Sequence, residues 1–500
     1  MKVLLVYCNT LQQNALPMGI TQLSACLKEA GIEVVLFDTT FYKYHEKSSM
    51  EVRYETLQFK PVKLKYNEGD IYADFLKTVE TVGPDIIGFS VVEPTFIFSL
   101  ALLDHVLNII KRRDIKVVYG GVFATLAPEV IAKHDNIDCI CTCEGEIVFV
   151  EFCNNLKDGN DVTETKGFWV KVNDVWKKNP KSQLVDISAL PMKDYAMFGD
   201  DYLLKPMMGE FLRTVSLEVS RGCPYSCTYC AAPVLDRNAK SENTGSYHRL
   251  KSINKIDDEM RHFMEIYDPH FIYIVSESFL AVSQKRIDEF YECYSNYRIP
   301  FWFNTRPEDI TEKKIRLMKD LGVQRISLGI ESGNYEFRKK VLRRNTTDEQ
   351  IIKASEILHD HDISFSMNII FGYPDETREM ILEGIDIFRK VSPDGVSTAI
   401  FNPYHGTPLR QVCLDKGYIL DDLICEDFYQ KEYLLNGNTV TREDVIGLYK
   451  TYPLYIHLPK SEYPRIKVAE RDDVEGNKIF AELREMFYKI VKWDASTLTD

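Results

Sequence analysis

The chain has 500 residues, 45% hydrophobic and 27% charged, with a formal net charge of −14. At roughly 150 residues per domain this predicts two to four domains with apolar content enough for a large core. The acidic balance disfavours a general nucleic-acid binder, which needs a basic face for phosphates, and no apolar run approaches the ~20 residues of a membrane span.

The opening MKVLLVYC has too short an apolar core for a signal peptide, and the polar residues after it hold no small-residue cleavage pattern. It reads as a first strand (2–7) of a cytoplasmic protein whose thiols stay reduced. Ile20, Leu23 and Leu27 recur at helical spacing up to Gly31. Further strands are predicted at 32–38, 84–90, 115–121 and 137–146, with a helix around 96–112. Strands alternating with helices predict a parallel sheet covered on both faces, whose ligands bind beyond the carboxyl ends of the strands. Those ends carry Pro17-Met18-Gly19, Gly88-Phe89-Ser90, Gly120-Gly121-Val122-Phe123-Ala124-Thr125 and Glu144-Gly145-Glu146. Glycines there let a large, flat ligand approach the backbone; ordinary turn chemistry explains them equally well. Cys139, Cys141 and Cys143 alternate onto one face and read as small buried hydrophobes rather than metal ligands.

From 155 to 200 the pattern loosens. Two short strands around Asn173-Asp174 predict a hairpin, and VDISALPMKDY (185–195) an extended connector in which Pro191 bars helix. This predicts a first domain at 1–155, a hairpin and linker at 156–205, a second domain at 206–410 and a helical C-terminal segment at 411–500.

The second domain opens on TVSLEVSRGCPYSCTYC, a strand running into a loop with Cys223, Cys227 and Cys230. Further strands are predicted at 271–278, 300–306, 323–333, 363–374 and 396–408, making six βα units and an incomplete barrel. A loop after a barrel strand is where such folds place chemistry. A structural zinc needs four protein ligands, and no second CxxC pair or nearby histidine completes a set. Three thiolates suit an iron–sulfur cluster with one iron left open.

C-x3-C-x2-C with Tyr229 before its last cysteine, on the first strand of such a barrel, resembles the radical S-adenosylmethionine (SAM) enzymes. The resemblance implies that Cys223, Cys227 and Cys230 hold a [4Fe–4S] cluster, that SAM chelates the open iron, and that Tyr229 lies near the adenine. It places Glu277 toward the SAM amino group, a departure from relatives with paired aspartates. Arg306, in NTRPE, is expected to point into the barrel, and Glu331 and Ser332, in GIESG, to lie near SAM. FGYPDET (371–377) resembles the turn after the fifth strand.

A flavodoxin-like (Rossmann-type) domain ahead of a partial (βα)6 TIM-type barrel resembles the cobalamin-binding subgroup. It implies cobalamin contacts from Pro17, Gly19, Gly88, Ser90, Gly120, Gly121, Ala124, Thr125, Glu144, Gly145 and Glu146, with Leu190-Pro191 as a further mark. No D-x-H-x-x-G segment is present, so no histidine is assigned to the lower face of cobalt, and Phe123 stands where relatives often have histidine. The implied activity is a cobalamin-dependent methyltransferase acting on a small-molecule substrate at an unactivated carbon or phosphorus centre, through a 5′-deoxyadenosyl radical and methylcobalamin. Cyclisation, rearrangement or oxidation without methyl transfer is the alternative. A methylthiotransferase fits less well, lacking its additional N-terminal cysteines, and a zinc protein predicts no iron. The electron donor is expected to be of the flavodoxin or ferredoxin kind.

RKKVLRR (338–344) reads as a solvated helix face, with docking of an acidic electron donor as the alternative. His405 reads as ordering its loop, with proton transfer as the alternative. His359 and His361 read as an exposed helix end. Tyr452, Tyr455 and His457, in an aromatic-rich helical cap over the barrel mouth, are candidates for a substrate pocket.

Overall fold

The structure is a computed structural model, and it describes residues 1–10, 15–43, 47, 49–58, 66–207, 210–426 and 432–491. Residues 427–431, within the aromatic run expected in the cap, lie outside the described residues.

The first sheet has strands β1 (Lys2–Tyr7), β2 (Glu33–Asp38), β3 (Ile86–Ser90), β4 (Lys116–Gly120), β5 (Cys139–Cys141), β6 (Phe168–Val172) and β7 (Val175–Lys178). Their order is β2-β1-β3-β4-β5-β6-β7. The first five run parallel and the last two antiparallel. The 2-1-3-4-5 order is the flavodoxin-like one and puts a switch point between β1 and β3. Its strands are apolar because both faces are covered: Val3, Leu5 and Val118 pack to one side, Leu4, Val6 and Val117 to the other. Cys139 and Cys141 join the first of these cores and Cys143 packs against it, as their alternation predicts. The hairpin turns at Asn173 and Asp174, both at positive φ (49° and 61°), the left-handed pair of a two-residue turn. It forms the outer edge of this sheet.

The second sheet holds β8 (Leu204–Met207), β9 (Glu210–Glu218), β12 (Phe271–Val275), β13 (Phe301–Thr305), β14 (Val323–Glu331), β15 (Ser364–Phe371) and β16 (Gly395–Ile400). Between β9 and β12, β10 (Ser220–Arg221) and β11 (Arg249–Leu250) form a separate pair. The order is β16-β15-β14-β13-β12-β9-β8. Neighbours from β9 to β16 are parallel; β8 is antiparallel. This is the expected six-stranded half-barrel with one added edge strand. Its helices start at side-chain caps, Ser252, Thr347 and Thr377 among them, which satisfy amide groups that a first turn leaves free.

One expectation, about the C-terminal segment, changes. The helix Arg442–His457 does not close the barrel mouth: it packs against β16 and the helix Arg378–Val391. Tyr452 is fully buried, 4.8 Å from the Phe371 ring, and donates to Ile381 O. Tyr455 is buried against Glu470, and His457 meets Phe487 edge-on. Tyr452 and Tyr455 are core and His457 is half-buried, because apolar area on that helix is what covers the last strand. The helix Glu93–Arg113 is long and apolar enough to cross a membrane by length and composition, but its Phe96, Leu102, Leu103, Val106 and Ile110 form part of the first domain's core.

Candidate active site

A cleft of about 340 Å³ opens beyond the carboxyl ends of β1, β3, β4 and β5 and runs to the barrel. Gly19, Gly88, Ser90, Gly120, Gly121, Thr125, Glu144, Gly145 and Glu146 line it, over an apolar floor that includes Leu5, Met18, Val118 and Phe149. Pro17 and Ala124 do not: Pro17 O accepts from Thr21 Oγ1, and Ala124 is fully buried. Phe123 is buried too, between Phe96 and His405. Gly121 has φ 95°, and a Cβ there would stand 2.5 Å from Val91 O. The closely packed glycine backbone and apolar floor fit a flat, bulky ligand such as a corrinoid.

Across the cleft stands the cysteine loop. β9 ends at Glu218, and the chain turns through Gly222 at φ 85°, where a Cβ would meet Tyr247 O at 2.6 Å. Thr228 ties the loop down by donating from its Oγ1 to Val341 O at 2.7 Å. Cys227 is buried; Cys223 and Cys230 are partly exposed. Burial pushes the metal-free thiols of Cys223 and Cys230 up to about 11 and about 12, so binding iron must displace their protons. Among the described residues, no group of three or more His, Cys, Asp or Glu is spaced to hold a single metal ion. Three cysteines on one short loop, each free to meet a separate iron, fit a cluster.

The sequence-predicted barrel residues converge on this loop. Arg306 stacks on the Tyr225 ring at 3.7 Å, pairs with Glu308 and sends Nη1 to within 3.7 Å of Cys227 Sγ. Glu277 Oε1 accepts the Gly222 N–H at 3.2 Å, and burial raises its carboxyl above the ordinary range. Glu331, at φ 72°, is likewise raised by burial, with Arg344 and Arg306 opposing. Tyr229 packs on Tyr373. Ser332 is fully buried against the Glu376 carboxyl.

Two residues of the site carry no assignment from the sequence. Arg344, at the end of the basic run, is buried rather than solvated. It donates to Tyr229 Oη at 3.2 Å and Gly329 O at 2.5 Å, and it too lies 3.7 Å from Cys227 Sγ. At the other end of the run Arg338 is fully buried and donates to Ser332 O and Gly333 O. The second unassigned residue is Arg221, immediately before the loop. It pairs with Glu144 at 3.0 Å and Glu146 at 2.8 Å from the first domain and with Glu218 at 3.2 Å from β9. Burial works against its charge, but Glu146, Glu218 and Glu144 outweigh this and hold it protonated. Arg249 also pairs with Glu144. Glu144 and Glu146 thus sit on the cleft wall with their charges already matched.

A second contact between the domains joins Glu93 to the loop after β16. Glu93 accepts the His405 N–H at 2.8 Å, and His405 Nδ1 lies 2.8 Å from its carboxylate, the loop-ordering role expected of His405. His359 Nε2 meets Val391 O and His361 Nε2 meets Glu312.

A half-barrel with a three-cysteine loop, facing a flavodoxin-like domain across a glycine-lined cleft, defines the class: enzymes that pair a reducible cluster with a corrinoid. The model of the radical SAM superfamily matches residues 217–387, and that of the B12 binding domain matches residues 4–153. The chain belongs to the radical SAM enzymes that carry a B12-binding domain. It is 24% identical to an uncharacterized methyltransferase of Pyrococcus horikoshii, over 70% of this chain and 73% of that one. It is 26% identical to the anaerobic magnesium-protoporphyrin IX monomethyl ester cyclase of Rubrivivax gelatinosus, over 69% of this chain and 61% of the cyclase. The solved structure of OxsB, a cobalamin-dependent SAM radical enzyme with aqua-cobalamin and SAM bound, superposes with a TM-score of 0.66 at 18% identity, over 98% of this chain and 71% of that one.

Proposed function

We propose that the protein transfers a methyl group to an unactivated carbon or phosphorus centre of a small molecule, with cobalamin in the cleft and a SAM-binding [4Fe–4S] cluster on Cys223, Cys227 and Cys230. The observation that carries this reading is Arg221, which precedes the cysteine loop and pairs with the cleft carboxylates Glu144 and Glu146. It fixes the two cofactor sites against each other, as methyl transfer at a radical centre requires. When bound, the cluster supplies the electron that cleaves SAM, and the corrinoid supplies the methyl group.

The chain's own residues bind and orient. Gly19, Gly88, Ser90, Gly120, Gly121 and Thr125 shape the cleft, Tyr229, Glu277 and Glu331 face the SAM side of the loop, and Arg306 and Arg344 neutralise Cys227. The relative from Pyrococcus horikoshii, named as a methyltransferase, supports this reading. The cyclase of Rubrivivax gelatinosus favours a second one, radical cyclisation or oxidation without methyl transfer. Product analysis of the anaerobic, reduced enzyme with candidate acceptors separates them. Methyl transfer yields S-adenosylhomocysteine together with 5′-deoxyadenosine and a methylated acceptor; 5′-deoxyadenosine and converted substrate without S-adenosylhomocysteine sinks it. The electron donor proposed is a flavodoxin- or ferredoxin-like protein.

A further inference from the structure

Below the cysteine loop, the inner face of the barrel is a polar layer. Ser216, Tyr273, Trp302, Arg325 and Ser364 stand side by side in register across β9, β12, β13, β14 and β15. Their strand neighbours Leu217, Ile272, Ile274, Phe303 and Ile326 are fully buried on the outer face. Tyr273, Trp302 and Arg325 keep partial exposure. Barrel interiors are ordinarily filled with branched apolar side chains; this layer is polar and aromatic instead, and three of its side chains stay half-buried.

Lys205, on the edge strand β8, sends its ammonium into this layer. Nζ lies 3.4 Å from Ser216 Oγ and 5.9 Å from the centre of the Tyr273 ring. Lys205 is 9% exposed and, among the described residues, makes no ion pair. Other buried cations here are matched: Lys193 with Glu218, Lys251 with Glu259, Arg338 with Asp348. Burying an unpaired ammonium is costly, and burial alone pushes this one down to about 8. Arg325, farther along the layer, also makes no ion pair among the described residues and leans over Gly395, where a Cβ would stand 2.6 Å from its Nη2. Between the two cations, Asn304 Nδ2 donates to Tyr273 Oη at 2.9 Å, and Trp302 Nε1 donates to Ser327 Oγ at 3.0 Å.

We propose that this layer receives an oxyanion of the substrate, a carboxylate or a phosphate, with Lys205 as its ion-pair partner and Tyr273 and Trp302 as the aromatic wall for the rest of the molecule. The proposal rests on the reading above, a radical enzyme acting on a small molecule, and adds that this molecule enters the barrel. Lys205 then pays the cost of its burial only in the free enzyme, and an acidic protein selects an anionic substrate by one local reversal of charge.

The test uses the full chain loaded with iron–sulfur cluster, corrinoid and SAM. Its melting temperature is followed against inorganic phosphate and against acetate, each compared with chloride at equal ionic strength, in the wild type, Lys205→Met and Lys205→Arg. Expected are a saturable rise with at least one oxyanion in the wild type, its loss in Lys205→Met and its retention in Lys205→Arg. A rise with phosphate alone marks a phosphate ester, and with acetate a carboxylate. No rise above chloride with either anion in the wild type overturns the proposal, as does a rise that Lys205→Met keeps in full. Iron and corrinoid content of the same preparations reports separately on the cofactor reading.

Discussion

Arg306 and Arg344 reach the same sulfur: each places Nη1 3.7 Å from Cys227 Sγ. One follows β13 and the other ends the segment after β14. Hydrogen bonds to cluster sulfurs set the reduction potential, and charged donors are the strong ones. A hydrogen bond to a charged group is worth roughly 1.5–3 kcal/mol. If a fraction of that distinguishes the redox states, Arg344→Leu lowers the cluster's midpoint potential on the order of tens of millivolts, at about 59 mV per tenfold. Arg344→Lys moves it less. Potentiometric titration followed by electron paramagnetic resonance reads both.

Gly222→Ala displaces the cysteine loop. The substitution puts a Cβ 2.6 Å from the Tyr247 carbonyl oxygen, at a φ of 85° that side chains rarely adopt. Iron bound after anaerobic reconstitution falls by more than half, while far-ultraviolet circular dichroism is unchanged, because the defect is confined to the loop.

Arg221→Met strips the counter-charge from Glu144, Glu146 and Glu218 at once. Removing one partner of a buried pair costs about 3–5 kcal/mol; Arg249 and Lys193 remain to hold part of the network. Denaturant unfolding shows a loss toward the lower end of that range, and corrinoid uptake weakens because the cleft carboxylate Glu146 loses its ion-pair partner while Glu144 keeps only its pair with Arg249.

Much of this site can be read from the sequence, for reasons that differ by residue. The three cysteines declare themselves because ligand spacing within one loop survives without tertiary information. The parallel sheet declares itself through apolar strands separated by helical periods, and the cleft glycines through their places at strand ends. Arg344 is hidden because a run of charges does not say which member turns inward. Lys339 and Lys340 are exposed, Arg338 bonds backwards to carbonyl groups, and Arg343 at φ 53° redirects the chain so that Arg344 enters the barrel. Tyr452 and Tyr455 mislead for a related reason: aromatic density marks a core and a pocket alike. Lys205 has no signal at all, since its meaning lies in the absence of a partner.

Glu376 makes stability depend on pH. Its Oε2 accepts the N–H groups of Gly372 and Tyr373, and burial raises its carboxyl from 4.5 to about 8. Between these values the folded chain holds a proton that the unfolded chain has lost. The contribution is therefore fully present below about 4.5 and is lost as pH rises through about 8. Glu376→Gln removes it, so the difference in unfolding free energy between variant and wild type shifts in the variant's favour across that window. A flat difference contradicts the assignment.

The central claim is that one chain holds both cofactors. The most direct measurement is iron and corrinoid content, with an absorption spectrum, of protein made anaerobically with cobalamin supplied and then desalted. The account predicts stoichiometric corrinoid beside about four irons per chain, with iron lost in a Cys223, Cys227 or Cys230 variant and corrinoid retained. Iron without corrinoid would contradict it and leave the cleft of the first domain without the ligand its glycines are shaped for.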